Sequence, residues 1–249
     1  MLWLPLVLGQ DGLGLLKVTP PLPVLVSLGT VGPLIACFAT HRLEAGDWRA
    51  VRLFPRTRGS LIWVALGPML ILLSLFFVFP ALMSKGTPTP WQWRWSALVG
   101  ILVPMFNYNL LGGPLFEESG WRGFLQTRLQ RVLPPWFAAI SVGVAWAIWH
   151  LPLFLVRGWT SASPLVFLLI LIGLSLLMAF GFNASGQSVV VAILMHSAFN
   201  SSPRCLGQFL SGVAIREYPS GETLIAASVL SVGALAALLT RGRLAKAAH

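Results

Sequence analysis

Apolar residues in this chain come in blocks rather than in alternation. Blocks run over about 21–40, 61–83, 96–113, 136–156, 163–182, 187–202 and 222–240, most close to the roughly 20 residues that carry a helix across a bilayer. Residues 1–10 form a shorter apolar stretch with Asp11 close behind. The stretch reads as a truncated or interfacial first helix, and it lacks the basic leading region of a cleaved signal peptide. Outer-membrane strands would alternate apolar and polar positions, and these blocks do not. Backbone facing lipid must satisfy its own hydrogen bonds, which leaves helices. The pattern therefore predicts an all-α, polytopic membrane bundle of seven to eight transmembrane helices.

The breaks between blocks carry their own signals. Residues 88–95 combine Pro88 and Pro90 with Trp91, Trp93 and Trp95, which suits an interfacial turn at headgroup depth. Over 121–133, Phe124, Leu125, Leu129, Val132 and Leu133 recur at helical spacing with arginines and glutamines between them. That amphipathicity predicts a helix lying along the cytoplasmic surface or tilting into it. No soluble domain, repeat or long linker interrupts the chain. It divides into N-terminal membrane helices with a basic loop (1–95), a core (96–202) and a C-terminal helix with a basic tail (203–249), all in one bundle.

Charge sets the orientation. The chain is 56% hydrophobic and 10% charged, with 17 basic and seven acidic residues and a net charge of +10. Its mean hydropathy of +0.80 excludes a soluble domain. The basic excess is accordingly assigned to an anionic membrane surface and not to nucleic acid. Eleven basic residues fall on one side: Arg42, Arg49, Arg52, Arg56 and Arg58; Arg122, Arg128 and Arg131; Arg241, Arg243 and Lys246. Six fall on the other: Lys17, Lys85, Arg94, Arg157, Arg204 and Arg216. The richer side is cytoplasmic by the positive-inside rule, and the C-terminus goes with it. Cys37 and Cys205, beside or within apolar runs, fit small core residues and form neither a disulfide framework nor a metal signature.

Against this background Glu117 and Glu118 stand out. Adjacent carboxylates repel, and each becomes costlier as water is removed. Arg122 follows Glu118 by four residues and shares its helix face, so Glu118 and Arg122 form a positioning ion pair. Glu117 is rotated away and is left as the available acid or base. An interfacial salt bridge at a helix end would explain the same residues without chemistry. His150 lies near the end of one apolar block, and Trp146 shares its face. His196 lies inside another, sharing a face with Asn200. A histidine bonded to a backbone carbonyl between helices is the plain explanation for either one alone. Together with a free glutamate they make a hydrolytic set: a carboxylate to deprotonate water, an imidazole to orient it, and His or Asn donors for an oxyanion. His41 and His249 receive no role.

These residues resemble the CAAX-processing and bacteriocin-processing (CPBP, or Abi) family of intramembrane proteases. The family has three motifs: Glu-Glu-x-x-x-Arg, Phe-x-x-x-His, and His-x-x-x-Asn. Here they read Glu117 to Arg122 followed by Gly123, Trp146 to His150, and His196 to Asn200. Trp146 replaces the phenylalanine; an aromatic is kept, and its packing role with it. The resemblance covers about 96–202, and the arginine-rich 41–60 loop also looks like bacterial members, which points to a bacterial plasma membrane. It implies a multi-helix bundle with a cavity open to the cytoplasm. Glu117 would be the general base assisted by His150, His196 and Asn200 the oxyanion site, and Glu118 with Arg122 the support. The eukaryotic relatives cleave the last three residues from prenylated proteins; nothing in this chain names its own substrate beyond a peptide or membrane protein.

One geometric difficulty accompanies this assignment. Glu117 at the cytoplasmic end of one span and His150 some 14 residues into the next would differ in height by roughly 20 Å. Either Glu117 lies deep, through a break at Gly112, Gly113 and Pro114, or the 136–156 span starts outside the bilayer.

Three other readings compete. No cofactor is expected, but Glu117, His150 and His196 could hold zinc in a metalloprotease, although His-Glu-x-x-His is absent. A transporter could use the same residues as a proton relay, although no repeated halves are visible. A non-catalytic scaffold would have no need of intact motifs. A serine or cysteine nucleophile has no supporting pattern: no Gly-x-Ser-x-Gly occurs, and neither cysteine lies four from a histidine.

Overall fold

The structure is a computed structural model and describes residues 3–16, 29–43, 53–55, 57–83, 99, 103, 110–209 and 221–245, without the side chains of 76–83, 111 and 203–209. The interfacial turn at 88–95, almost all of the 96–109 part of the third block, and Arg49, Arg52 and Arg56 of the basic loop lie outside the described residues.

Among those residues every regular element is a helix. We number them α1 (Leu4–Leu8), α2 (Gly32–Leu43), α3 (Trp63–Met83), α4 (described below), α5 (Pro135–His150), α6 (Pro164–Ala184), α7 (Val189–Phe209) and α8 (Gly221–Leu239). Four stretches are long and apolar enough to cross a membrane: Arg58–Leu75, Pro135–Leu155, Pro164–Ala184 and Gly221–Leu239. The apolar part of α7, Val189–Ser202, is shorter. The expected all-α membrane bundle is borne out.

Local chemistry sets the helix ends. Ser163 caps α6, its hydroxyl accepting from the Val166 N–H at 3.3 Å, and Pro164 occupies the first turn, where a missing N–H costs nothing. Pro135 opens α5 in the same way, and α5 tightens into a 3₁₀ turn over Leu151–Leu155.

α6 is the axis of the bundle. α3, α5, α7 and α8 all pack on it, and Leu174, Leu177, Met178 and Phe182 are fully buried there. Lipid tails are as apolar as leucine, so membrane helices gain by close approach at small residues. A Cβ on Gly173 would lie 2.6 Å from the Leu230 backbone nitrogen of α8. Ser175 reaches across to α5 and donates to the Ala139 carbonyl at 2.7 Å.

α4 has a less regular course. It begins as Pro114–Glu118, widens into a π-helical stretch over Ser119–Gln126, and ends as Thr127–Leu129. The preceding helical turn, Leu110–Gly112, stops at Gly113, and Pro114 then restarts the helix in a new direction. Thr30 steadies the break by donating to the Gly112 carbonyl at 3.1 Å. From there α4 runs between α2, α5 and α7. At Gly120 it passes so close to α2 that a Cβ would sit 2.5 Å from the Pro33 carbonyl oxygen.

The segment 121–133 differs from its expected surface position. Arg122 and Gln126 are fully buried and Gln130 nearly so, while Val132 is 80% exposed. The polar positions of this amphipathic helix face the bundle interior. The reason is that its polar face has partners there, which a membrane surface would not supply.

α4 and α5 form an antiparallel helical hairpin, turning at 130–134. Twelve residues separate Glu117 from Leu129, which places the glutamates roughly 18 Å from that turn at ordinary helical rise. Glu117 therefore lies deep, level with Trp146 of α5, and the break at Gly113 is what puts it there. The difficulty over height is resolved by the first of the two routes.

Candidate active site

The site is assembled on α4, α5 and α7. Glu118 and Arg122 have no solvent exposure. Arg122 Nη1 donates to both Glu118 oxygens, at 3.0 and 2.9 Å. From α7, His196 Nδ1–H donates to Glu118 Oε1 at 2.8 Å. One buried carboxylate thus holds an arginine on its own helix and a histidine 78 residues away. Two charges taken out of water need such geometry to offset their lost hydration, and removing one partner leaves the other uncompensated. The expected Glu118–Arg122 pair is present, and His196 joins it.

Glu117 is equally buried, at 4% exposure, but its surroundings are different. Its Oε2 accepts from the Trp146 indole N–H at 2.8 Å. Its Oε1 faces Gly113, where an added Cβ would approach to 3.3 Å. Glu117 therefore has one bonded oxygen and one that meets a residue without a side chain.

Trp146 sits between the two glutamate environments. The Arg122 guanidinium lies 4.5 Å from its ring centroid, and the His196 ring meets it edge-on at 4.8 Å. One turn further along α5, His150 donates Nδ1–H to the Trp146 carbonyl at 2.8 Å. That bond fixes the tautomer of a neutral imidazole and leaves Nε2 as an acceptor. The His150 ring stacks on Trp159 at 6.0 Å and touches Phe167 and Trp3, so α1 reaches this end of the site.

The sequence-derived residues thus fall into two groups. Glu117, Glu118, Arg122 and His196 converge directly or through Trp146, with His150 adjoining. Asn200 lies one turn beyond His196 on α7, is exposed, and makes no hydrogen bond to a described residue. What the motifs did not give is the donor role of Trp146. Its only signal was the substitution itself, since an indole carries an N–H where a phenyl ring has none.

Among the described residues, no three His, Cys, Asp or Glu side chains are grouped closely enough to hold a metal ion. Glu117, His150 and His196 do not form a ready-made zinc site in this geometry.

Residues 99–202 match the family model described as "Type II CAAX prenyl endopeptidase Rce1-like". This core belongs to that family. The match spans all three motifs and bears out the CPBP resemblance. A CAAX prenyl protease 2 of Methanococcus maripaludis is 27% identical over 151 residues, covering 56% of this chain and 53% of the relative. The match thus takes in about half the length of each protein.

Proposed function

We propose that the chain is an integral-membrane endopeptidase that hydrolyses a peptide bond with water activated by Glu117. The observation that carries this reading is the division between adjacent glutamates: Glu118 is committed to Arg122 and His196, whereas Glu117 keeps an oxygen without a bonded donor among the described residues. Glu117 Oε1 takes a proton from water while His150 Nε2 accepts the second O–H and aims the lone pair. The water oxygen bonds to the scissile carbonyl carbon, whose oxygen becomes an oxyanion. The Asn200 amide and His196 Nε2–H stabilise it; because Nδ1–H is spent on Glu118, this role requires His196 as imidazolium. Glu117 then gives its proton to the leaving nitrogen as the C–N bond breaks. Substrates are membrane-anchored peptides or proteins delivered from the lipid. The name of the archaeal relative suggests a prenylated C-terminus as the first to try. The chain sits with its C-terminus cytoplasmic.

The test is cleavage of a membrane-anchored peptide by the purified protein, with metal content measured in parallel. Cleavage that survives exhaustive chelation supports the glutamate mechanism. Stoichiometric zinc whose removal reversibly stops cleavage would favour the metalloprotease, and solute flux without cleavage the transporter.

A further inference from the structure

Trp146 touches every charged or titratable member of the site, and each contact uses a different part of the residue. Its indole N–H bonds Glu117, its ring carries the Arg122 guanidinium and the edge of His196, and its carbonyl accepts from His150. The side chain is 1% exposed, so no water competes for the N–H. A phenylalanine would reproduce the ring contacts and the carbonyl bond. Only the bond to Glu117 requires an indole.

A carboxylate with two rotatable side-chain torsions ahead of its head group does not present one oxygen reliably. Packing around Glu117 leaves Gly113 on one side and Trp146 on the other. We infer that Trp146 is a positioning residue for the proposed hydrolysis: its N–H holds Glu117 Oε2, so that Oε1 alone is presented to the attacking water, and it registers Glu117 against the Glu118–Arg122–His196 cluster through the same ring. This inference rests on the reading of Glu117 as the base. Orientation of this kind acts on the chemical step and leaves substrate binding alone, because a misaligned base lowers turnover while the peptide still occupies its site.

Two measurements test it. The first replaces Trp146 with benzothienylalanine, which keeps the bicyclic shape and exchanges N–H for sulfur. Turnover should fall about 10- to 100-fold with KM changed by no more than about twofold, since one bond to a charged acceptor is lost and nothing else. Trp146→Phe should show the same kcat loss with the melting temperature close to that of the parent. Unchanged kcat in the analogue, or a rise in KM with kcat preserved, overturns the inference. The second needs no substrate. In the ¹⁵N-tryptophan-labelled protein, the Trp146 indole proton should resonate downfield and move upfield in Glu117→Ala. An indole signal indifferent to Glu117 overturns the inference even if the protein cleaves peptides. A signal that moves in a protein that cleaves nothing would keep the bond and discard the base, so the two failures can be told apart.

Discussion

α6 and α4 touch inside one bundle and bury their side chains by opposite means. α6 seals Leu174, Leu177, Met178 and Phe182 against its neighbours and closes in on α8 at Gly173. α4 seals Glu117, Glu118, Arg122 and Gln126 to a similar degree. On α6 each buried group is stable by itself, and removing part of one leaves a cavity. On α4 burial is conditional: Glu118 is tolerable because Arg122 and His196 are there, and the reverse holds as well. The difference teaches that the same low exposure marks packing in one helix and interdependence in its neighbour. Glu117 belongs fully to neither, being buried with a single neutral donor, and so it is the group to test first.

Substituting the two glutamates should separate chemistry from assembly. Glu117→Gln should lose about 100- to 10,000-fold in turnover as a general base is removed, with the melting temperature little changed. A large loss of stability with modest loss of turnover would move Glu117 into the same class as Glu118. Glu118→Leu should instead destabilise the fold by about 3–5 kcal/mol, because Arg122 stays buried without its counter-charge. Unfolding in denaturant reads this out, and Glu118→Leu combined with Arg122→Met should recover a good part of the loss. Failure of the second change to help would show that the carboxylate is not serving the arginine.

Smaller effects should follow away from the glutamates. Asn200→Ala should cut turnover about 100- to 1,000-fold with substrate affinity kept, as loss of an oxyanion donor does. Steady-state kinetics that show only a KM change would assign Asn200 to binding. Gly173→Ala should cost about 1–3 kcal/mol by pressing α6 against the α8 backbone, with kcat preserved in the folded fraction. A drop in kcat at Gly173 would mean that α6 tunes the site as well as supporting it.

Legibility in the sequence followed the range of the interaction. The Glu118–Arg122 pair was legible because four residues along one helix fix the geometry. The spans were legible because length and hydropathy suffice for them. His196 on Glu118 and Trp146 on Glu117 bridge 78 and 29 residues, and no local pattern states which helices adjoin. The 121–133 segment misled for another reason. Periodicity shows that two faces differ, but in a bundle surrounded by lipid the polar face turns inward, toward Glu118 and away from the membrane surface. Asn200 matched its motif and is exposed one turn beyond His196, a position that matters only once a peptide is bound.

The π-helical stretch over Ser119–Gln126 makes chain length a variable in its own right. A wide turn accommodates one residue more than an α-helix would. Deleting a single residue between 123 and 126 would let the stretch relax to ordinary pitch, and everything downstream would swivel by roughly 100° against the carboxylates. Gln130 would swing away from the interior, and the α4–α5 turn would be dragged with it. All three motifs would still read correctly letter by letter. A homologue shortened there would pass every sequence criterion for an active enzyme and be out of phase with itself.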